Sequence, residues 1–335
     1  MATYGAALSR DGPGLLLRDI RAGEAQAAAA AEVIAEAGPD ILLLTDFDYD
    51  WEGRALDAFA GLVAEAGHPM PHRFALRPNA GMATELDLDG DGRRGEADDA
   101  QGWGRFAGDG GLALLSRHPI DAEAARDYSA LLWRDLPESR ATEAGLSEAV
   151  LAAQRLSSTG HWTVEVRPEG AAPLTVLAFA ATPPVFDGPE DRNGLRNADE
   201  IRLWRHVLDG AFGPAPERRF VLLGNANLDP VDGEGRHAAI RALLEDPRLQ
   251  DPRPESVGAR AAADPDHAGA PALDTADWDG PGNLRVHYVL PSADWRVTGA
   301  GVVWPEGGPL ATAATTAGPH RLVWVDLAAP EGAPP

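Results

Sequence analysis

The chain of 335 residues carries 52 acidic and 29 basic residues, a net charge of -23 and a pI near 4.7. That balance argues against a large duplex-binding face, because nucleic-acid affinity rests mainly on neutralising phosphates. Every basic residue is arginine and cysteine is absent, which excludes Schiff-base and thiolate chemistry, a P-loop lysine, disulfides and cysteine metal sites.

Residues 2–8 alternate weakly and read as a first strand. Ala22 to Ala37 is alanine-rich and reads as a helix ended by Gly38-Pro39. Ile41 to Leu44 is a short buried strand, and Gly53 to Ala66 a helix with Leu56, Phe59, Ala60 and Val63 on one face. Strands are expected at 112–116, 162–166, 174–179, 220–223, 286–290, 297–303 and 322–327. Helices are expected over 146–156, 197–208 and 235–245. The segment 251–283, dense in Pro, Gly, Ala and Asp, reads as a long surface loop, functional or mobile. With no internal repeat and no clean linker, a single domain spans 1–335. Strands mixing hairpin and helical connections favour two packed sheets flanked by helices. No apolar run is long enough to span a membrane, and no signal peptide precedes the first strand.

The segment 87–98, DLDGDGRRGEAD, has the spacing of a calcium loop. Asp87, Asp89 and Asp91 take positions 1, 3 and 5, Gly92 the sharp turn, Arg93 a carbonyl ligand and Asp98 the closing carboxylate. Asp98 is shorter than the usual glutamate, so affinity would be modest, and no helix pair flanks the loop, which implies a structural Ca2+ clip. The alternative is a solvated acidic turn. A calcium loop of this kind fills outside the cytoplasm, which leans localisation toward the periplasm or secretion, any leader having been removed.

Six segments together resemble the endonuclease/exonuclease/phosphatase superfamily, in particular a bacterial branch. They are ATYGAAL (2–8), PDILLLTDFDYD (39–50), FAATPPVFDGPEDRNGLRN (179–197), VLLGNANLDPVDGEG (221–235), NLRVHYVLPS (283–292) and GPHRLVWVDL (318–327). The resemblance implies a four-layer α/β/β/α sandwich, with two mixed sheets face to face and a cleft at one end. It also implies hydrolysis of phosphate esters by in-line attack of water, with a divalent ion, usually Mg2+, and a histidine oriented by an aspartate.

At the positions this resemblance matches, several side chains differ from the family pattern. Gly5 stands for an asparagine, Asp46 for a metal-binding glutamate, and Ala180 for a phosphate-contacting histidine. The Gly-Asp-x-Asn turn reads Gly224-Asn225-Ala226-Asn227, and the acidic position before Tyr288 is His287. The closing Ser-Asp-His is Gly318-Pro319-His320, so the histidine stands without that aspartate. Losing one positioned acid–base group lowers a rate by about 10²–10⁴, and losses within one machine converge on background.

Two readings follow. One is a degenerate site with little or no phosphoesterase activity and a ligand-binding or structural role. The other is a phosphomono- or diesterase rebuilt around Asp46, Asn227, His287 and His320, because histidine with carboxylate suits zinc or manganese better than magnesium. Arg192, Asn193 and Arg196 either hold a small phosphorylated or anionic ligand near a helix amino end or form a capped, salt-bridged helix start. Asp229 and Asp232 supply further carboxylates or turn and capping chemistry. A nuclease ranks low, since no basic stripe is visible.

Overall fold

The computed structural model describes residues 1–329. The first half of the chain runs β1 (Ala2–Leu8), α1 (Leu15–Arg21), α2 (Ala25–Ala37), β2 (Ile41–Phe47), α3 (Arg54–Glu65), β3 (His72–Phe74), β4 (Gly111–Ser116), β5 (Ile120–Asp127), α4 (Glu148–Leu151) and β6 (Gly160–Val166). The second half runs β7 (Leu174–Ala180), α5 (Arg192–Leu208), β8 (Phe220–Asn225), α6 (Ala238–Leu244), α7 (Val257–Ala261), β9 (Ala276–Trp278), β10 (Gly282–Leu284), β11 (His287–Pro291), β12 (Arg296–Val302), α8 (Pro309–Ala317) and β13 (Val323–Ala328).

Six strands form one sheet in the order β12-β13-β1-β2-β4-β3, and five form the other in the order β11-β8-β7-β6-β5. Side-chain alternation along each central strand explains the layering. On β2, Leu42 and Leu44 pack against α1, α2, α3 and α8, while Ile41 and Leu43 face the second sheet. On β8, Phe220 and Leu222 pack under α5 and α6, while Val221 and Leu223 meet the first sheet. The inter-sheet core adds Leu114, Trp162, Val176, Val289 and Val325. Helices, sheet, sheet and helices therefore make the expected α/β/β/α sandwich. Among the described residues no helix is long and apolar enough to cross a membrane.

Local chemistry sets the helix ends. The Glu24 carboxylate accepts the N–H groups of Gln26 and Ala27 at the start of α2, and Gly38 closes it in the left-handed region at φ 59°. β5 is the exposed edge of the second sheet and carries Asp121, Glu123, Arg126 and Asp127, charges that discourage edge pairing.

Several expectations need correction. The helix foreseen over 146–156 is confined to Glu148–Leu151, because residues 154–156 pair with 131–133 instead: Trp133 donates to the Gln154 carbonyl and Leu156 to that of Leu131. The segment 251–283 is a folded unit, holding α7, β9 and β10. Ala276, Leu284 and Val286 form a small apolar cluster beneath it, and Ala259 packs into the inter-sheet core. α5 begins at Arg192, five residues before the first one expected. The sequence reading missed α1, β3, β5 and α8, which are short, exposed or dominated by alanine.

Gly224 shows how tightly β7 and β8 are joined: at φ 150°, a Cβ there would lie 1.9 Å from the Phe179 carbonyl oxygen. Gly224→Ala is expected to lose about 3 kcal/mol or more in urea unfolding. Gly61→Ala, on the exposed face of α3 with nothing within 4 Å, is expected to gain about 0.5–1 kcal/mol. Equal effects at the two sites would show that the strand contact is not as close as described.

Candidate active site and acidic loop

The carboxyl end of β8 and the start of β11 lie side by side, with His287 registered opposite Asn225. His287 projects between the sheets toward β1, and its Nε2 lies 2.9 Å from Nδ1 of His320. The two rings meet edge to face, with centroids 4.8 Å apart. Trp278 packs edge-on against the other side of His320. A Cβ at position 5 would stand 3.0 Å from His287 Nε2 and 3.1 Å from His320 Cγ. Gly5 is thus the space the imidazole pair occupies.

The segment 275–277 fixes both histidines. Thr275 Oγ1 accepts the main-chain N–H groups of Val286 and His287, while the Arg321 N–H donates to the Thr275 carbonyl. Ala276 bridges His320, and the Asp277 N–H donates to the Pro319 carbonyl. The side-chain partner of His320 is therefore His287, while Pro319 stands where the resemblance implies an aspartate. This contact joins parts of the chain 33 residues apart, and no local spacing announces it.

Burial drives both imidazoles toward the neutral form. His287, 1% exposed, is held far below the ordinary histidine range by burial and then by His320. Burial, reinforced by Arg321, lowers His320 to about 4. The His287 Nδ1 atom is buried without a hydrogen-bond partner.

The amide side chains of the turn are turned on one another. Asn225 Oδ1 accepts the Asn227 N–H, Asn225 Nδ2 donates to Asn227 Oδ1, and Asn227 Nδ2 donates to the Ala181 carbonyl. Ala180 is registered with Asn225 across the β7–β8 pair and presents only a methyl group. Asp46, left-handed at φ 60°, sits where the register of β2 shifts between Thr45 and Phe47. Burial and then Asp109 push its carboxyl up to about 6, against the pull of Arg10. Asp109 is itself held by Ser9 Oγ and the Arg105 N–H.

The arginines foreseen as an anion site are committed elsewhere. Arg196 is 4% exposed and donates to the carbonyls of Gln101, Arg155, Leu156 and Ser157, so it has no free face for a ligand. Arg192 donates to the Leu88 carbonyl, and Asn193 Nδ2 to that of Val185. Asp229 is a turn-former, accepting the N–H groups of Val231, Asp232 and Arg285. Asp232 likewise accepts from Ala268 and Gly269.

In the acidic loop, Asp87 accepts the N–H groups of Gly90 and Gly92, Asp89 that of Asp91, and Asp91 that of Arg93. Among the described residues, the group of three metal-ligating side chains with atoms within 4.8 Å of one another is Asp87, Asp89 and Asp99. Asp98 is exposed and stands outside this triad, as does Asp91. Asp99, the next residue along, is buried and also accepts the N–H groups of Leu88 and Glu96. This triad could bind a metal ion.

Two facing sheets with outer helices define an α/β/β/α sandwich, with Asn225, His287 and His320 brought together at one end of the strands. Residues 12–320 match the Endonuclease/Exonuclease/phosphatase family, and the chain belongs to that family. In fold it is similar to an endonuclease/exonuclease/phosphatase from Beutenbergia cavernae, with a TM-score of 0.58, 19% identity, and coverage of 98% of this chain and 71% of that one. A family protein from Bacteroides thetaiotaomicron gives a TM-score of 0.53 at 11% identity, covering 98% and 97% of the two chains. A mannosyl-6-phosphatase from the same organism gives 0.51 at 12%, covering 98% of each. At such identities the likeness is one of fold. No curated protein matches the sequence.

The geometry predicts coupling between positions 5 and 287. Gly5→Asn alone is expected to cost about 2 kcal/mol or more, because its side chain overlaps a fully packed imidazole. In a His287→Asp background the same change should cost at least about 1 kcal/mol less. A double-mutant cycle by chemical denaturation measures this, and additive effects would show that His287 does not fill the space above Gly5.

Proposed function

We propose that this chain is a family member with a degenerate phosphoesterase centre, hydrolysing phosphate esters little or not at all and serving a ligand-binding or structural role. The single observation that carries this reading is the packing of His287 onto His320 in the space left by Gly5. Volume and charge have changed together there: an imidazole pair with no net charge occupies the floor of the cleft.

Each chemical task of ester hydrolysis can be followed to a residue. A proton donor to the leaving oxygen must be protonated near neutral pH, and His320, at about 4, is not. A general base must accept a proton from water, which the Asn225 amide cannot do. A donor to the phosphoryl oxygens is missing at Ala180, and the Asn227 Nδ2 donor is bonded to the Ala181 carbonyl.

The magnesium ion usual in this family does not fit the residues present. It needs near-octahedral oxygen ligands with substantial negative charge. Of Gly5, Asp46, Asn225 and His287, Asp46 alone is a carboxylate. No step through that ion is derived.

The acidic loop supports a separate structural role, as a Ca2+ clip. Oxygen ligands at alternate positions and a buried third carboxylate suit a hard cation. The reading places the third carboxylate at Asp99 in place of Asp98.

Hydrolysis of p-nitrophenyl phosphate and bis(p-nitrophenyl) phosphate with magnesium is expected to stay at background, and His320→Ala to leave it there. Ala180→His, Asn225→Asp, His287→Asp and Pro319→Asp combined should raise it, whereas each alone should do little, because such groups act as a unit. Robust metal-dependent turnover by the unmodified chain, lost in His320→Ala, would establish the rebuilt-enzyme reading instead.

Calcium at about ten times its Kd should stabilise the fold by roughly 1.4 kcal/mol through preferential binding to the native state. Asp89→Asn should abolish the rise in Tm and Asp98→Asn should keep it. Identical melting in EDTA and in calcium chloride would reduce the loop to a plain acidic turn.

A further inference from the structure

Apart from the cleft and the acidic loop, one carboxylate is buried with nothing to hold it. Asp274 is 8% exposed, its side chain accepts no hydrogen bond among the described residues, and it forms no ion pair there. It faces a cavity of about 350 Å³ whose walls include Leu244, Leu273 and Pro230. Of the other carboxylates lining it, Glu245 is exposed and in no ion pair among the described residues, while two are occupied. Asp229 is saturated by three main-chain N–H groups, and Asp251 is paired with Arg285.

The cavity is separate from the cleft. Tyr288 packs into the helix-side core and His287 projects the opposite way, between the sheets. The cavity lies against Leu244 of α6, on the side of Tyr288. At its rim stand Arg241 and Arg253, neither in an ion pair among the described residues.

An unpaired carboxyl in a cavity lined by apolar side chains and by charged ones, Glu245 and the Asp251-paired Arg285 among them, suits a cationic group that would hold it ionised. A divalent metal is disfavoured, because Asp274 belongs to no group of three metal-ligating side chains within 4.8 Å among the described residues. An ammonium group needs only one carboxylate, and two outer guanidiniums would repel a polyamine while attracting an anion. We propose that this cavity is a binding site for a small zwitterionic amine, its ammonium on Asp274 and its anionic end toward Arg241 and Arg253. The assignment stands whether or not the old cleft has activity.

The test uses the full chain and three probes of one length: 4-aminobutyrate, butylamine and butyrate, read by calorimetry and by the shift in Tm. Aminobutyrate is expected to bind in the millimolar range and raise Tm, butylamine to do so several-fold more weakly, and butyrate not at all. Asp274→Asn should lose binding by at least tenfold. Folding of that variant is not at risk, since burial and then Asp229 already hold the Asp274 carboxyl up to about 7, and the amide removes an unfavourable charge. Arg253→Ala, at an exposed position, should bring aminobutyrate down to the affinity of butylamine. Butyrate binding as well as aminobutyrate, unchanged binding in Asp274→Asn, or stabilisation by calcium or magnesium that Asp274→Asn abolishes would each overturn the ammonium site. An unaltered preference in Arg253→Ala would overturn the placement of the anionic end.

Discussion

The cleft end of this molecule hangs on the buried polar face of α5. Arg196, Asn197, Asp199 and Glu200 are all at most 4% exposed, and each is spent on the loops around it. Arg196 gathers the carbonyls of residues 101 and 155–157; Asn197 Nδ2 bridges those of Thr182 and Ala226. Asp199 takes the Trp133 indole N–H and the Arg140 N–H, and Glu200 takes Ser158 and Thr182. Burial pushes the Glu200 carboxyl up to about 7 even with Arg196 one turn away and three donors on it. Breaking one link in such a network leaves a buried charge or dipole without a partner, as the Asn197 Oδ1 atom already is. The partners are mostly main-chain groups, so the loops are positioned by backbone and not by their own side chains.

That arrangement explains how the cleft can change without the fold changing. The turn at Asn225 and the strand end at Ala180 are held in register by β7–β8 pairing and by Asn197, neither of which depends on what side chain stands at 180 or 225. Within the cleft, by contrast, side chains depend on each other for volume. The imidazoles of His287 and His320 close over position 5, where a Cβ would stand 3.0 Å from His287 Nε2 and force the pair to shift in a densely packed interior. Positions 5 and 287 are therefore one packing contact seen at two places in the chain.

How far the sequence foretold this follows from the range of each interaction. Buried central strands such as β2 and β8 were legible because their apolar runs are continuous and flanked by breakers. The convergence of Asn225, His287 and His320 was legible only through the family resemblance, since nothing periodic links them. Arg196 stood between an anion site and a salt-bridged helix start because a polar helix start looks alike whether its arginine meets an anion or four carbonyls. Asp99 was missed at the acidic loop because loop spacing identifies which residues alternate, not which one the following turn brings back; its buried carboxylate closes on Leu88 and Glu96. Asp274 carries no motif at all. Its interest comes from having no partner, a property that only packing creates.

Asp46 and Asn227 both hold left-handed backbone, at φ 60° and 48°, in places where a regular strand end would relax. Each such conformation costs about 1–3 kcal/mol in general, less for asparagine and aspartate, which tolerate it best. At Asn227 the strain is offset locally, by the N–H to Asn225 Oδ1 and by Nδ2 to the Ala181 carbonyl. At Asp46 it is absorbed in the irregular register of β2, where Phe47 resumes pairing with Gly111. The strained geometry is therefore held by side-chain amides at Asn227 and by strand register at Asp46. A scaffold of this kind is held by strand pairing and main-chain register, so the fold is plain to see whichever side chains stand at 180, 225 and 287.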